Sequence, residues 1–126
     1  MHEILIVDDS KVMREMIVAC LRSEDDLAFT QAASGLEAIE LLSLKTFELV
    51  LLDLNMPDIG GFEVVEFVRA QDKLKSLPIC IVTTRDDESS RSRALTAGAS
   101  RFLTKPFSPE VIRAEVRSLL DARATA

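Results

Sequence analysis

Five polar side chains stand at the ends of apolar runs in this sequence. Asp8 and Asp9 follow the run "ILIV", Asp53 follows "LVLL", Thr83 ends "PICIVT", and Lys105 follows "SRFLT". Each has an ordinary explanation alone, because aspartates cap helices or begin turns, threonine suits a strand, and a lone lysine is usually solvated. Their repeated position at run ends indicates chemistry that needs all five together.

Three carboxylates gathered in one crevice would require a cation. Two unit charges about 4 Å apart repel by roughly 4 kcal/mol at an effective dielectric of 20. Lys105 supplies a single positive charge, which leaves the aspartates undercompensated. Magnesium is the divalent ion that such oxygen ligands favour. An acidic Mg²⁺ pocket with a hydroxyl and an ammonium group is suited to binding a phosphoryl group.

The apolar runs alternate with helical patterns five times, which predicts parallel strands covered by helices. The runs are "ILIV" (4–7), "LAFTQAA" (27–33), "FELVLLDL" (47–54), "PICIVTT" (78–84) and "SRFLT" (100–104). Five units cannot close an eight-unit barrel. We therefore expect an α/β fold, an open doubly wound five-stranded parallel sheet in flavodoxin-like order 2-1-3-4-5 with five helices. Strands one, three and four would then be neighbours, with their polar ends at one edge.

The helical patterns predict which side chains face the core. The stripe of the first helix comprises Met13, Met16, Ile17, Cys20 and Leu21, and that of the fifth comprises Ile112, Val116, Leu119 and Leu120. Ser34 and Ser108 are predicted to cap the second and fifth helices. The fourth helix is expected to be short, weakly anchored and mobile, because it offers only Ala94, Leu95 and Ala97 for burial before a stop at Gly98.

Composition narrows the class of protein. With 126 residues, we expect one domain over 1–126, with a frayed end at 121–126. A net charge of −6 argues against a nucleic-acid partner, and no apolar run approaches the roughly 20 residues that span a membrane. No signal-peptide pattern is present, so we expect a cytoplasmic protein. Cys20 and Cys80 are interpreted as small core residues, and His2 as an exposed terminal histidine.

Four segments of the chain resemble the signature segments of response regulator receiver domains, the phosphoacceptor modules of two-component phosphorelay systems. They are "LIVDDSKVMR", "LVLLDLNMPDIGG", "IVTT" and "GASRFLTKPF". The match extends over the whole chain, in the family's order and spacing. The resemblance implies a signalling switch rather than an ordinary enzyme, although such a domain catalyses its own phosphotransfer and dephosphorylation.

The resemblance also assigns roles around the metal. It implies that Asp53 is the phosphoacceptor and that Mg²⁺ is the cofactor. Asp9 and Asp53 would bind the metal directly, the backbone carbonyl of Asn55 would be a third ligand, and Asp8 would act through a metal-bound water. Arg85 and Asn55 stand where this family tunes the lifetime of the phosphoryl group.

The same resemblance implies a switch and its partners. Thr83 would bind the phosphoryl group, Lys105 would pair with it, and Phe102 would be the switch aromatic. The Lys105–Pro106 peptide bond matches a position that is usually cis in the family. A sensor histidine kinase or phosphotransfer protein would supply the phosphoryl group, and a changed surface around helix four, strand five and helix five would control a downstream effector protein.

Three other interpretations have weaker support in the sequence. A haloacid-dehalogenase-like phosphatase would need a second aspartate two residues after the first, where this chain has Asn55. A Rossmann or P-loop nucleotide binder would need a glycine pattern that the four glycines do not form. A degenerate receiver, used only for protein interaction, would not need the complete set of acidic, hydroxyl and lysine residues. Binding of beryllofluoride with Mg²⁺ would discriminate among these possibilities.

Overall fold

The computed structural model describes residues 1–125, in which five strands alternate with five helices. The strands are β1 (His2–Val7), β2 (Leu27–Ala32), β3 (Leu49–Leu52), β4 (Ile79–Thr83) and β5 (Arg101–Thr104). The helices are α1 (Lys11–Leu21), α2 (Gly35–Leu44), α3 (Gly61–Ala70), α4 (Glu88–Ala97) and α5 (Pro109–Thr125). Each apolar run of the sequence contains or overlaps one strand, as predicted.

The five strands form one parallel sheet in the order β2-β1-β3-β4-β5, which confirms the predicted fold. Val7, the last residue of β1, lies opposite Ala32 of β2 and Leu52 of β3. The three strands therefore end at the same level. The residues that follow β1 and β3 emerge side by side at the carboxyl edge of the sheet.

Helices cover both faces of the sheet and produce two apolar layers. One layer joins α2, α3 and α4 to one face, and the other joins α1 and α5 to the opposite face. Successive residues of β1 alternate between them, with Leu5 and Val7 in the first layer and Ile4 and Ile6 in the second. Because both faces are packed, the central strands consist of consecutive aliphatic residues.

The helix ends follow the predicted chemistry. The Ser34 hydroxyl accepts a hydrogen bond from the Glu37 N–H at 3.1 Å, and the Ser108 hydroxyl accepts one from the Val111 N–H at 3.2 Å. Gly98 ends α4 with φ of 121°, a conformation that favours glycine. The predicted inward stripe of α5 is buried at all four positions.

Two helices differ from the predicted patterns. Met16 of α1 is 48% exposed and Cys20 is only half-buried, because Ile17 and Leu21 are the residues that the core covers fully, while Cys20 packs at its margin. In α4, Ala94 is buried as predicted, but Leu95 is 43% exposed and Ala97 is half-buried, while Ser90 is buried as well. The predicted shortness of α4 is wrong, since it has ten residues like α2 and α3, but its weak apolar anchoring is confirmed.

The C-terminal helix extends further than expected. We predicted a frayed segment at 121–126, yet α5 continues to Thr125, and position 126 lies outside the described residues. The assignment of 1–126 to one domain stays a prediction. Within residues 1–125, no helix has the length and apolar character needed to cross a membrane.

Candidate functional site

The predicted site residues meet at the carboxyl edge of the sheet. Asp8 and Asp53 directly follow β1 and β3, Thr83 ends β4, and Lys105 follows β5. Asp8, Asp53 and Thr83 are buried, whereas Asp9 is exposed at the rim. The sheet therefore brings together the carboxylates, the hydroxyl and the ammonium group that the sequence placed at strand ends.

Backbone hydrogen bonds continue the strand ladder into the site. The Asp8 N–H donates to the Ala32 carbonyl at 3.1 Å, and the Asp53 N–H donates to the Val7 carbonyl at 3.0 Å. The Lys105 N–H donates to the Thr83 carbonyl at 2.7 Å. The sheet thus determines where these residues lie, and only their side chains remain free to adjust.

Lys105 forms a buried ion pair in this crevice. Its Nζ donates to Asp8 Oδ2 at 2.6 Å and lies 3.9 Å from Asp53 Oδ2, with the lysine side chain only 8% exposed. One ammonium group thus serves two buried carboxylates, and it lies nearer to Asp8. The Lys105–Pro106 peptide bond is cis, as the resemblance implied.

The carboxylates have a donor set that fits a hard divalent cation. Asp8, Asp9 and Asp53 can each direct one oxygen into a space where all three lie within 4.8 Å of one another. Asp53 Oδ1 is buried and has no hydrogen-bond partner among the described residues. A buried carboxylate oxygen without a partner is costly unless a ligand satisfies it. Three carboxylates, only two of which contact the Lys105 ammonium, therefore fit Mg²⁺.

Burial controls the protonation of Asp53. Removal from water raises the pKa of the Asp53 carboxyl above its ordinary value, and the negative charge of Asp8 strengthens the effect. The Lys105 ammonium and the neighbouring Thr83 hydroxyl oppose it without cancelling it. The ionised form of the Asp53 carboxyl is thus less favourable here than in water, and a bound cation would stabilise it.

The segment between β3 and α3 is held tightly beneath Asp53. A Cβ added at Gly61 would lie 2.6 Å from the Asp53 carbonyl oxygen and 2.7 Å from the Leu54 Cα, so no larger residue fits without movement. The Asp58 carboxylate accepts hydrogen bonds from the N–H groups of Gly35 and Leu36 at the start of α2. Glycine and aspartate together anchor the loop that carries Asn55.

The predicted switch residues lie on neighbouring strands. Thr83 is fully buried opposite Thr104, and its hydroxyl accepts the Arg85 N–H at 3.3 Å. Phe102 lies on β5, half-buried, with the Arg91 guanidinium of α4 5.5 Å from its ring centre. Phe102 is thus in contact with α4, and Thr83 lies on the neighbouring strand.

Three arginines reach the site. The resemblance had singled out the position of Arg85, whereas no pattern in the sequence indicated a role for Arg14 or Arg93. Arg14 of α1 donates to the Asp8 carbonyl at 2.5 Å, Arg85 donates from Nε to Asn55 Oδ1 at 2.7 Å, and Arg93 of α4 lies over the ring of Phe62. Charged residues on exposed helix faces usually interact with water. No spacing pattern distinguishes those that bend back toward a site.

Comparison with known sequences agrees with the resemblance seen in the four sequence segments. A family model described as a response regulator receiver domain matches residues 4–117. A chemotaxis protein CheY homolog of Campylobacter jejuni is 36% identical over 121 residues, which cover 94% of this chain and 92% of that protein.

Comparison with solved structures agrees with the sequence match. Chemotaxis protein CheY4 of Vibrio cholerae is similar with a TM-score of 0.88 and 33% identity, and the match covers 95% of this chain and 99% of that one. A CheY-like response regulator receiver domain protein of Methanospirillum hungatei has a TM-score of 0.91 and 25% identity, with 99% and 98% covered. The five-stranded arrangement described above is the one these proteins share.

Proposed function

The chain belongs to the response regulator receiver domain family, and from this premise we propose that it is a phosphorylation-dependent switch in which Asp53 accepts the phosphoryl group. The observation that carries the proposal is the Asp53 carboxylate: its Oδ1 is buried without a hydrogen-bond partner in the described residues, and its Oδ2 lies 3.9 Å from Lys105 Nζ. The donor is a phosphohistidine of a sensor histidine kinase or of a phosphotransfer protein, and the setting is the cytoplasm.

The proposed reaction is a transfer between two side chains. An oxygen of the ionised Asp53 carboxylate forms a bond to phosphorus while the bond from phosphorus to the donor imidazole nitrogen breaks. The electron pair of that bond leaves with the imidazole. The product is an aspartyl phosphate, and later attack by water on phosphorus releases inorganic phosphate and restores the Asp53 carboxylate.

The polar residues around Asp53 stabilise the charge of the phosphoryl oxygens. Lys105 can shift its ammonium from Asp8 toward them, since its Nζ already lies 3.9 Å from Asp53. The Thr83 hydroxyl can donate a hydrogen bond to a phosphoryl oxygen from the end of β4. Both groups already lie beside Asp53, so local shifts of these two side chains would be enough to reach the phosphoryl oxygens.

Asp9, Asp53 and the backbone carbonyl of Asn55 are the proposed Mg²⁺ ligands, with Asp8 as the supporting carboxylate. The three aspartates are the acidic group whose oxygens lie within 4.8 Å of one another. When bound, the metal would neutralise negative charge on the carboxylates and on the phosphoryl oxygens.

The proposed output is a change in the surface formed by α4, β5 and α5. A phosphoryl group on Asp53 would draw the Thr83 hydroxyl toward it, and Phe102 would turn inward to fill the space. That change would alter the affinity for a downstream effector protein. A Thr83→Ala variant should still accept phosphate but transmit it poorly, with smaller NMR shift changes at Phe102 when beryllofluoride is added. Shifts equal to those of the wild type would exclude the Thr83 route.

The phosphoacceptor assignment is tested with a small-molecule donor. Incubation with acetyl phosphate and Mg²⁺ should add one phosphate mass to the wild-type chain, and the Asp53→Asn variant should remain unmodified. Asp72→Asn is a suitable control, because Asp72 is a fully exposed aspartate beyond the C-terminal end of α3. Equal labelling of wild type and Asp53→Asn would overturn the assignment.

A further inference from the structure

Helix α4 is held to the rest of the molecule by few apolar contacts. Its buried residues are Ser90 and Ala94, whereas α3 beside it buries five residues. An amphipathic helix normally owes its position to an apolar stripe. The position of α4 therefore depends on further contacts, including those that two arginines make with the segment before and within α3.

The two arginines converge on one aromatic ring. The Arg93 guanidinium of α4 lies 3.9 Å from the ring centre of Phe62 in α3, which is cation–π distance. The Arg85 guanidinium lies 5.9 Å from the same ring while its Nε donates to Asn55 Oδ1 at 2.7 Å. Asp9 and Glu63 also line this groove. In the described residues, Arg93 has no hydrogen bond or ion pair, so the aromatic contact is its main interaction.

We propose that Arg85 and Arg93 form a clasp, with Asn55 and Phe62 as its other half, that holds α4 against α3 until Asp53 is phosphorylated. This inference rests on the proposed function and adds a second connection between the phosphoacceptor and α4, which runs through the Arg85 and Arg93 side chains rather than through Phe102. The two connections meet at Thr83, whose hydroxyl accepts the Arg85 N–H.

Phosphorylation opens the clasp by competing for Arg85. Asn55 lies two residues after Asp53, so the Arg85 guanidinium is already beside the loop that would carry the phosphoryl group. A phosphoryl group brings about two negative charges, and a charge-assisted hydrogen bond is stronger than one to a neutral amide oxygen. Arg85 then leaves Asn55 and moves the segment that leads directly into α4. The helix shifts with it, and Arg93 separates from Phe62.

Hydrogen exchange in α4 tests whether the clasp depends on phosphorylation. In the unmodified protein, Arg93→Ala should raise amide exchange at residues 88–97 about fivefold. With beryllofluoride and Mg²⁺ bound, the difference from wild type should fall below about twofold, because the clasp is already open. Arg93→Lys keeps a cation over the ring and should behave like wild type. An equal increase in both states, or none in either, would overturn the clasp.

The affinity for beryllofluoride is a second measurement of the clasp. A purely structural role of Arg93 would leave this affinity unchanged. Coupling between two sites is reciprocal, so loss of a contact that favours the unmodified state should tighten binding of the phosphoryl mimic. Arg93→Ala should bind beryllofluoride with Mg²⁺ about fivefold more tightly than wild type. Arg22→Ala removes the same charge from the exposed end of α1 and should leave the affinity unchanged.

The possible results separate the clasp from the proposed function. If wild type binds beryllofluoride but Arg93→Ala binds it equally or more weakly, the clasp is wrong and the phosphoacceptor assignment stands. If wild type does not bind beryllofluoride at all, the proposed function itself fails. Melting temperatures within a few degrees of wild type would show that each variant remains folded.

Discussion

At the scale of single residues, the candidate site buries carboxylates, whose ionised form is less favourable away from water. Asp8 and Asp53 are 2% and 6% exposed, and they share the one ammonium of Lys105. Burial of ionised groups costs free energy that an incomplete set of partners does not recover. A role in phosphorylation would explain why the protein keeps these buried charges. Single substitutions should show how much they lower the free energy of unfolding.

Replacing Asp53 should stabilise the protein in the absence of metal. Because burial raises the pKa of Asp53, the fold favours the neutral carboxyl, so wild-type stability falls as pH rises through that pKa. Asp53→Asn should therefore gain about 1–2 kcal/mol of unfolding free energy at pH 7 and lack this dependence. Urea unfolding in EDTA, measured at intervals from pH 4 to pH 7, gives both quantities. A variant less stable than wild type at pH 7 would contradict the electrostatic argument.

Removing the lysine should have the opposite effect. Lys105→Met leaves the Asp8 carboxylate buried without its partner, which should cost about 3–5 kcal/mol of unfolding free energy. Lys11→Met is the matched control, since Lys11 lies 4.0 Å from Glu15 on the surface and such pairs contribute about 0–1 kcal/mol. Similar losses of unfolding free energy in the two variants, measured by urea unfolding, would show that the buried pair contributes no more to stability than the surface pair.

At the scale of elements, the loop between β3 and α3 determines where the phosphoacceptor meets the metal ligands. Gly61 allows the first turn of α3 to pass directly beneath the Asp53 carbonyl, and Asp58 ties the loop to α2. A displacement of this loop would move Asn55 and Asp53 together. Gly60 and Gly61 differ in what surrounds them, because backbone atoms lie close to Gly61 and a flexible side chain lies close to Gly60. The two positions can therefore be compared directly.

Gly61→Ala should destabilise the protein by about 1–3 kcal/mol, because its Cβ would clash with backbone atoms that cannot move independently. Gly60→Ala should cost less than about 1 kcal/mol, since the one atom that its Cβ would crowd is at the end of the flexible Glu63 side chain. Gly61→Ala should also slow phosphorylation by acetyl phosphate. Equal effects of the two variants on stability and rate would exclude a role for the close approach.

At the scale of the whole molecule, metal binding and folding are linked. A ligand that binds only the folded state stabilises it by about 2.7 kcal/mol at 100 times its dissociation constant. Mg²⁺ should therefore raise the melting temperature of the wild type in a concentration-dependent way, and Asp9→Ala should remove that response. Glu15→Ala, another exposed carboxylate, is the control. A full Mg²⁺ response in Asp9→Ala would exclude Asp9 as a ligand.

The features that could be predicted from the sequence are the strand order and the site residues whose positions the sheet determines. Alternating apolar runs implied the strand order, and that order placed Asp8, Asp53 and Lys105 at one edge. Periodicity did not predict the exposure of Met16, because it identifies a helix face but not how much of that face a neighbour covers. The contact of Arg93 with Phe62 was also missed, since it depends on side-chain conformation between helices that are distant in sequence.

The ladder hydrogen bonds that extend from the sheet into the site have a consequence for cooperativity. The N–H groups of Asp8, Asp53 and Lys105 all donate to carbonyls of neighbouring strands or strand ends, so the backbone of the site cannot loosen unless the sheet separates. Competence for phosphorylation should then be all-or-none in each molecule. In urea below the unfolding midpoint, the labelling rate should fall only in proportion to the fraction of molecules that are unfolded.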